Sequence, residues 1–148
     1  MNERTKHIAL TIITIAMLIA IIIFIYYSYL VSPVIAVVKG ESMLPLFREG
    51  DLVFINKVKP DEVKVGDIIV YSTRGGSLII HRVIEVVVED NTYYYVTKGD
   101  NNTFPDFIYF ENGKGIPYTR VVGKILTIGD NAVKIPYIGH LALIFRGG

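Results

Sequence analysis

The sequence has no cysteine, almost no charge imbalance and, beyond residue 31, no helical repeat of apolar residues. Each lack removes a class of function. Fifteen Lys and Arg stand against 14 Asp and Glu, a net charge of +1, so there is no basic footprint for nucleic acid. Without cysteine, metal binding would fall to three histidines. One of them, His7, lies before a long apolar run, and His81 and His140 alone make a poor zinc set, so no metal and no cofactor are expected. The missing cysteine is compatible with an outer compartment and with the cytosol alike. The missing amphipathic pattern leaves strands to build whatever folds after residue 31.

What is present begins with an excess of apolar residues. They make up 51% of the 148, too many for an ordinary soluble domain of this length. The excess is concentrated in "IALTIITIAMLIAIIIFIYYSYLV", residues 8 to 31, which carries 24 residues without a charge. As a helix that is about 36 Å, enough to cross a hydrocarbon core of ~30 Å. Tyr26, Tyr27 and Tyr29 stand where an aromatic belt belongs. A cleavable secretory signal would have a shorter apolar region and a small-residue end, and a buried core helix would show a polar face; this run has neither. An uncleaved anchor is expected. Arg4 and Lys6 precede the run and the first charge after it is Lys39, so residues 1–7 are expected in the cytoplasm, with residues 32–148 on the outer side of the cell membrane.

After Pro33 come short runs rich in Val, Ile and Tyr, split by Gly, Asp, Asn and Pro. Strands are expected over 34–39, 51–56, 67–73, 77–89, 92–98, 119–129 and 131–136, which describes a mainly β sandwich or barrel behind one helix. Residues 99–118, "GDNNTFPDFIYFENGKGIPY", form a loop long enough to suggest function and too aromatic for disorder. The tail "IPYIGHLALIFRGG" is too short to span a membrane and would rest on one or add a strand.

Chemistry must come from single polar residues in this frame. Ser42, in "KGESMLPLFREGDLVFINKV", is one of five serines, and a serine hydroxyl is a poor nucleophile unless a base takes its proton. His81, in "SLIIHRVIEVVVED", is the candidate base. By strand alternation it shares a face with Ile79, Val83 and Glu85. A histidine base needs an orienting carboxylate, and "TKGDNNTFPD" offers Asp100 and Asp106. Each of these residues alone reads more readily as a turn, core or solvated residue. Lys57, Lys59, Lys64 and Lys98 sit among charged or turn residues, unsuited to the buried, deprotonated state of a lysine base.

In combination, "GESMLPLFREGDLVFINKV", "DIIVYS", "IIHRVIEV", "YVTKGDNNTFPD" and "VVGKIL…IPYIGHLALIF" resemble, in order and interval, the motifs of the type I signal peptidases, and their archaeal and endoplasmic-reticulum branch in particular. The resemblance spans residues 8 to 145. It implies a signal-peptidase-like β domain, with Ser42 of the Ser-Met pair as nucleophile. His81 stands before Arg82-Val83, where bacterial members carry a lysine. By the same resemblance Asp106 would be the orienting carboxylate, and Asp100 of Gly-Asp-Asn-Asn a supporting residue. Gly40 takes a position where bacterial enzymes often have an oxyanion-holding serine, so the Ser42 backbone N–H is expected to serve, with its companion donor open. The implied substrates are preprotein signal peptides, extended along the edge "IAVVKGE" (35–41) with Val38, Gly40 and Met43 in contact. Partner subunits stay open, since relatives in the endoplasmic reticulum work in a complex and bacterial ones alone. The sequon "NNT" at 101–103 overlaps this loop and reads as a by-product of the motif. Two other classes stand beside this one: a membrane-anchored β scaffold without activity, and a related serine-protease-fold enzyme with another substrate, such as a pilin-like precursor or a self-cleaving regulator, the last disfavoured by the absence of an Ala-Gly pair.

Overall fold

The computed structural model describes residues 2–31, 34–129 and 131–138, and the chain divides into two compact units, Met1–Ser32 and Pro33–Gly148. The first is one helix, α1 (Glu3–Val31). It starts before the uncharged run, taking in Arg4, Lys6 and His7. From Lys6 to Tyr26 its mean hydropathy is 3.2 and none of it is buried. Its polar side chains are handled internally: the Thr11 and Thr14 hydroxyls donate to the carbonyls of His7 and Leu10, each at 2.9 Å. A hydroxyl satisfied by its own helix costs little in an apolar medium. Tyr26 is exposed; the side chains of Tyr27 and Tyr29 lie outside the described set.

The second unit is mainly β, in keeping with its Val, Ile and Tyr runs. Its strands are β1 (Val34–Val37), β2 (Leu52–Asn56), β3 (Ile68–Ser72), β4 (Leu78–Glu89), β5 (Thr92–Lys98), β6 (Ile116–Pro117), β7 (Val121–Ile125), β8 (Thr127–Ile128), β9 (Asn131–Ala132) and β10 (Lys134–Ile135). One antiparallel sheet runs β1-β2-β7-β3-β4-β5-β6, with β10 also on β2, and β8-β9 form a hairpin. A core lies on each face of this sheet. Ile68 and Val70 join Val38, Met43, Phe47, Val53, Ile55 and Ile125 on one side. Ile69 and Tyr71 join Val63, Val83, Tyr95 and Ile116 on the other. β3 is thus buried on both faces, which is why its sequence is continuously apolar rather than alternating.

The structure departs from the expected strands in three places. The run 119–129 is broken: a 3-10 turn, Tyr118–Arg120, precedes β7, and Leu126 separates β7 from β8 with its N–H bonded to the Phe54 carbonyl. The run 131–136 splits at Val133, whose N–H turns to Leu126. Within the long loop, Phe107–Tyr109 form a 3-10 turn and β6 pairs with β5. That pairing requires Gly115, at φ 137°, because a Cβ there would lie 2.7 Å from the Tyr95 carbonyl oxygen.

One expectation is corrected. Glu85 does not share the His81 face. The β4–β5 ladder shifts register between Val83 and Glu85, a bulge that reverses the alternation. Val86 packs into the same core as Ile79 and Val83, and Glu85 is exposed. Of the tail, residues from Gly139 on, His140 among them, lie outside the described residues.

Candidate active site

Ser42 stands in the turn between β1 and β2. Met43 and Phe47, both buried, pin this turn from below, and the Phe47 N–H closes it on the Met43 carbonyl at 2.9 Å. The loop after β5 holds it from the side: the Asn101 N–H donates to the Ser42 carbonyl at 2.9 Å and its side-chain amide to the Glu41 carbonyl at 3.2 Å. Gly99 makes this approach feasible, for a Cβ there would sit 2.6 Å from the Ser42 carbonyl oxygen. A third tie comes from β10, where Lys134 Nζ donates to the Leu46 carbonyl at 2.6 Å and to Asp51 Oδ2 at 2.8 Å.

His81 lies on β4 opposite Ile69 and is 5% exposed. Its Nε2 is 3.0 Å from Ser42 Oγ, and its Nδ1 is 2.6 Å from Asp106 Oδ2. With Nδ1–H donating to the carboxylate, Nε2 presents a lone pair to the serine hydroxyl. Asp106, 6% exposed, heads the 3-10 turn Phe107–Tyr109, and its own N–H donates to the Thr97 carbonyl at 2.9 Å. The three residues singled out by motif order therefore form one hydrogen-bonded chain, although 39 positions separate Ser42 from His81 and 25 separate His81 from Asp106.

Two further side chains converge on the same carboxylate oxygen. Tyr71 Oη–H donates to Asp106 Oδ2 at 2.9 Å and Thr97 Oγ1–H at 2.6 Å, both from fully buried positions. Burial and the adjacent Asp106 charge push the Tyr71 phenol far above its ordinary range, so it stays a donor. In the sequence, Tyr71 of "DIIVYS" and Thr97 of "YVTKGD" carry no visible role. Their signal is a polar residue on an inward strand position, which becomes readable only once strand register is known.

Asp100 stays apart from this chain and takes a neighbouring task. Arg82 grips it through Nε at 2.8 Å and Nη2 at 2.7 Å, and Nη1 donates to the Gly66 carbonyl. This two-pronged bond fixes the 99–102 loop to β4 one residue from His81, and it raises the Arg82 pKa further. Lys57, Lys59 and Lys64 are exposed and Lys98 is half-buried; His81 is the basic group hydrogen-bonded to Ser42. Among the described residues, no three His, Cys, Asp or Glu side chains cluster to hold a metal.

The chain Ser42–His81–Asp106 opens into a groove of about 780 Å³. Val38 and Met43 line it, together with Ala36, Val37 and Lys39 of the expected edge. Gly40 is not part of the lining; at φ 87° it turns away and donates its N–H to Glu49 at 3.0 Å.

Residues 31–126 match the Peptidase S24-like family. The chain is 32% identical to the signal peptidase complex catalytic subunit SEC11C of Homo sapiens, over 99% of this chain and 76% of that protein. The same values hold for the Canis lupus familiaris subunit. It is 35% identical to the signal peptidase complex catalytic subunit sec11 of Schizosaccharomyces pombe, over 76% of this chain and 66% of that protein. A fold of this class, a serine hydrogen-bonded to a histidine, and similarity over nearly the whole length lead to one conclusion: the chain belongs to the S24-like serine peptidases, as a type I signal peptidase of the endoplasmic-reticulum and archaeal type.

Proposed function

We propose that the chain is a membrane-anchored endopeptidase that removes signal peptides from preproteins at the outer face of the cell membrane, with Ser42, His81 and Asp106 as its triad. The observation that carries this reading is the continuous bond path from Ser42 Oγ to His81 Nε2 (3.0 Å) and from His81 Nδ1 to Asp106 Oδ2 (2.6 Å). Ser42 Oγ attacks the scissile carbonyl as His81 Nε2 takes its proton. The tetrahedral oxyanion faces the Ser42 backbone N–H. His81 returns the proton to the departing amine, leaving an acyl-enzyme. Water, deprotonated by the same imidazole, releases the signal peptide and regenerates Ser42. Asp106 holds the ring and stabilises its cationic form.

The groove favours an extended peptide with small apolar side chains. Ala36–Lys39 offer a strand edge, and Val38, Met43, Val70 and Ile80 make shallow apolar walls. Supporting the anchor are the exposed, highly apolar Lys6–Tyr26 stretch and the positive charges Arg4 and Lys6 before it. A signal peptide is itself an apolar helix, so confining enzyme and substrate to one bilayer raises their effective concentration. In this chain without native cysteine, Lys57→Cys, at an exposed position of the β unit, should be labelled on intact cells by a membrane-impermeant thiol reagent; labelling only after lysis would overturn the orientation.

The test of the triad is preprotein cleavage by the full chain in detergent. Ser42→Ala and His81→Ala should each lower kcat by at least about a thousandfold, and Asp106→Asn by a similar factor, with folding unchanged. A Ser42→Ala chain that still cleaves would refute it. Activity of the purified wild type alone would show that the chemistry needs no accessory subunit.

A further inference from the structure

Buried hydroxyls beside a reactive carboxylate invite a question about what they are for. Tyr71 lies on β3, His81 on β4 and Thr97 on β5, three adjacent strands. Ile69 pairs with His81 and Tyr71 with Ile79, while Thr97 pairs with Val83. Tyr71 and Thr97 are therefore the two diagonal neighbours of His81 on one face, one on each side, and Asp106 lies across all three. Phenylalanine and valine would fill the same apolar space. What the two hydroxyls add is their bonds to Asp106 Oδ2 at 2.9 and 2.6 Å. Thr97 is also locked to Asp106 in the reverse direction, since its carbonyl accepts the Asp106 N–H.

We propose that Tyr71 and Thr97 are positioning residues of the peptidase reaction, whose hydroxyls fix the rotation of the Asp106 carboxylate so that it holds the His81 ring aimed at Ser42. The inference rests on the triad reading above. Oδ2 accepts three donors, His81 Nδ1–H, Tyr71 Oη–H and Thr97 Oγ1–H, from three directions. Removing a hydroxyl frees the carboxylate to turn, and the imidazole loses its aim at Ser42. Neither residue lines the groove, so substrate binding is untouched.

The experiment is steady-state cleavage of a preprotein by the full chain in detergent, comparing wild type with Tyr71→Phe, Thr97→Val, Thr97→Ser and Ser42→Ala. Tyr71→Phe and Thr97→Val should each lower kcat about tenfold at unchanged KM. Thr97→Ser, which keeps the hydroxyl, should restore kcat. If Thr97→Val fails to fold, Tyr71→Phe carries the test. Rates within about twofold of wild type would overturn the proposal. So would a Thr97→Ser variant as impaired as Thr97→Val, since side-chain shape, and not the hydroxyl, would then be the cause. With Ser42→Ala inactive, such results sink this inference alone; an active Ser42→Ala chain sinks the triad reading beneath it.

Discussion

At the scale of single residues, Gly99 shows how closely two distant stretches are set against each other. Any side chain there would drive a methyl group to 2.6 Å from the Ser42 carbonyl oxygen, and the obstacle is backbone, not a side chain able to swing away. Gly99→Ala must therefore shift either the Ser42 turn or the loop that carries Asp100 and Asp106. A displacement near 1 Å at reacting groups costs about a hundredfold in rate. Initial rates of preprotein cleavage by Gly99→Ala should fall by about that factor while thermal unfolding shows a folded domain; a rate near wild type would mean that the turn tolerates the displacement. In the sequence, Gly99 reads as ordinary turn chemistry beside Asp100. Its steric role depends on which backbone lies opposite, and that is a property of the fold.

At the scale of elements, the 99–106 loop is where the site is assembled. Arg82, from the strand that carries His81, anchors the loop through Asp100, so the loop cannot move without β4. Asp100→Asn keeps the shape but removes the charge from this bond. It should lower stability by about 1 kcal/mol, since the pair is partly exposed, and lower kcat several-fold through a looser Asp106. Urea midpoints and kinetics on the same variant check both; a change in stability alone would confine Asp100 to a scaffolding task. Most strands were legible because runs such as "DIIVYS" and "NTYYYVTK" are bounded by turn residues on both sides. β6 and the 3-10 turns were not, since two- and three-residue elements leave no periodicity. Glu85 was placed on the wrong face because alternation assumes an unbroken ladder, and the bulge after Val83 breaks it. Asp106 was found by motif order, not by physics; its partners Tyr71 and Thr97 needed the register.

At the scale of the whole β unit, the charged tie between Asp51 and Lys134 joins the turn before β2 to a strand 83 residues later. Asp51 is 1% exposed. Burial pushes its carboxyl up, but the bonds from Lys134 and the Arg48 N–H, with the Lys134 charge, outweigh that and hold it below its ordinary 3.8. The unfolded chain then binds a proton more readily than the folded one. The stabilisation is accordingly complete above about pH 4 and is lost as pH falls through the lower folded value. Asp51→Asn should lower neutral-pH stability by about 2 kcal/mol and flatten the decline in denaturant midpoint below pH 4. A parallel decline in both proteins would assign acid sensitivity elsewhere. The tie matters because the two cores are not independent: β3 is a party wall, with Ile68 and Val70 in one and Ile69 and Tyr71 in the other. Neither core can open while the wall stands, and the wall stands only while both are closed. Its amides are sealed on two sides, so they should exchange with deuterium last, on the clock of global unfolding. Through Tyr71 that clock also times the carboxylate beside His81. A domain held shut in this way offers few half-open forms for any protease to cut.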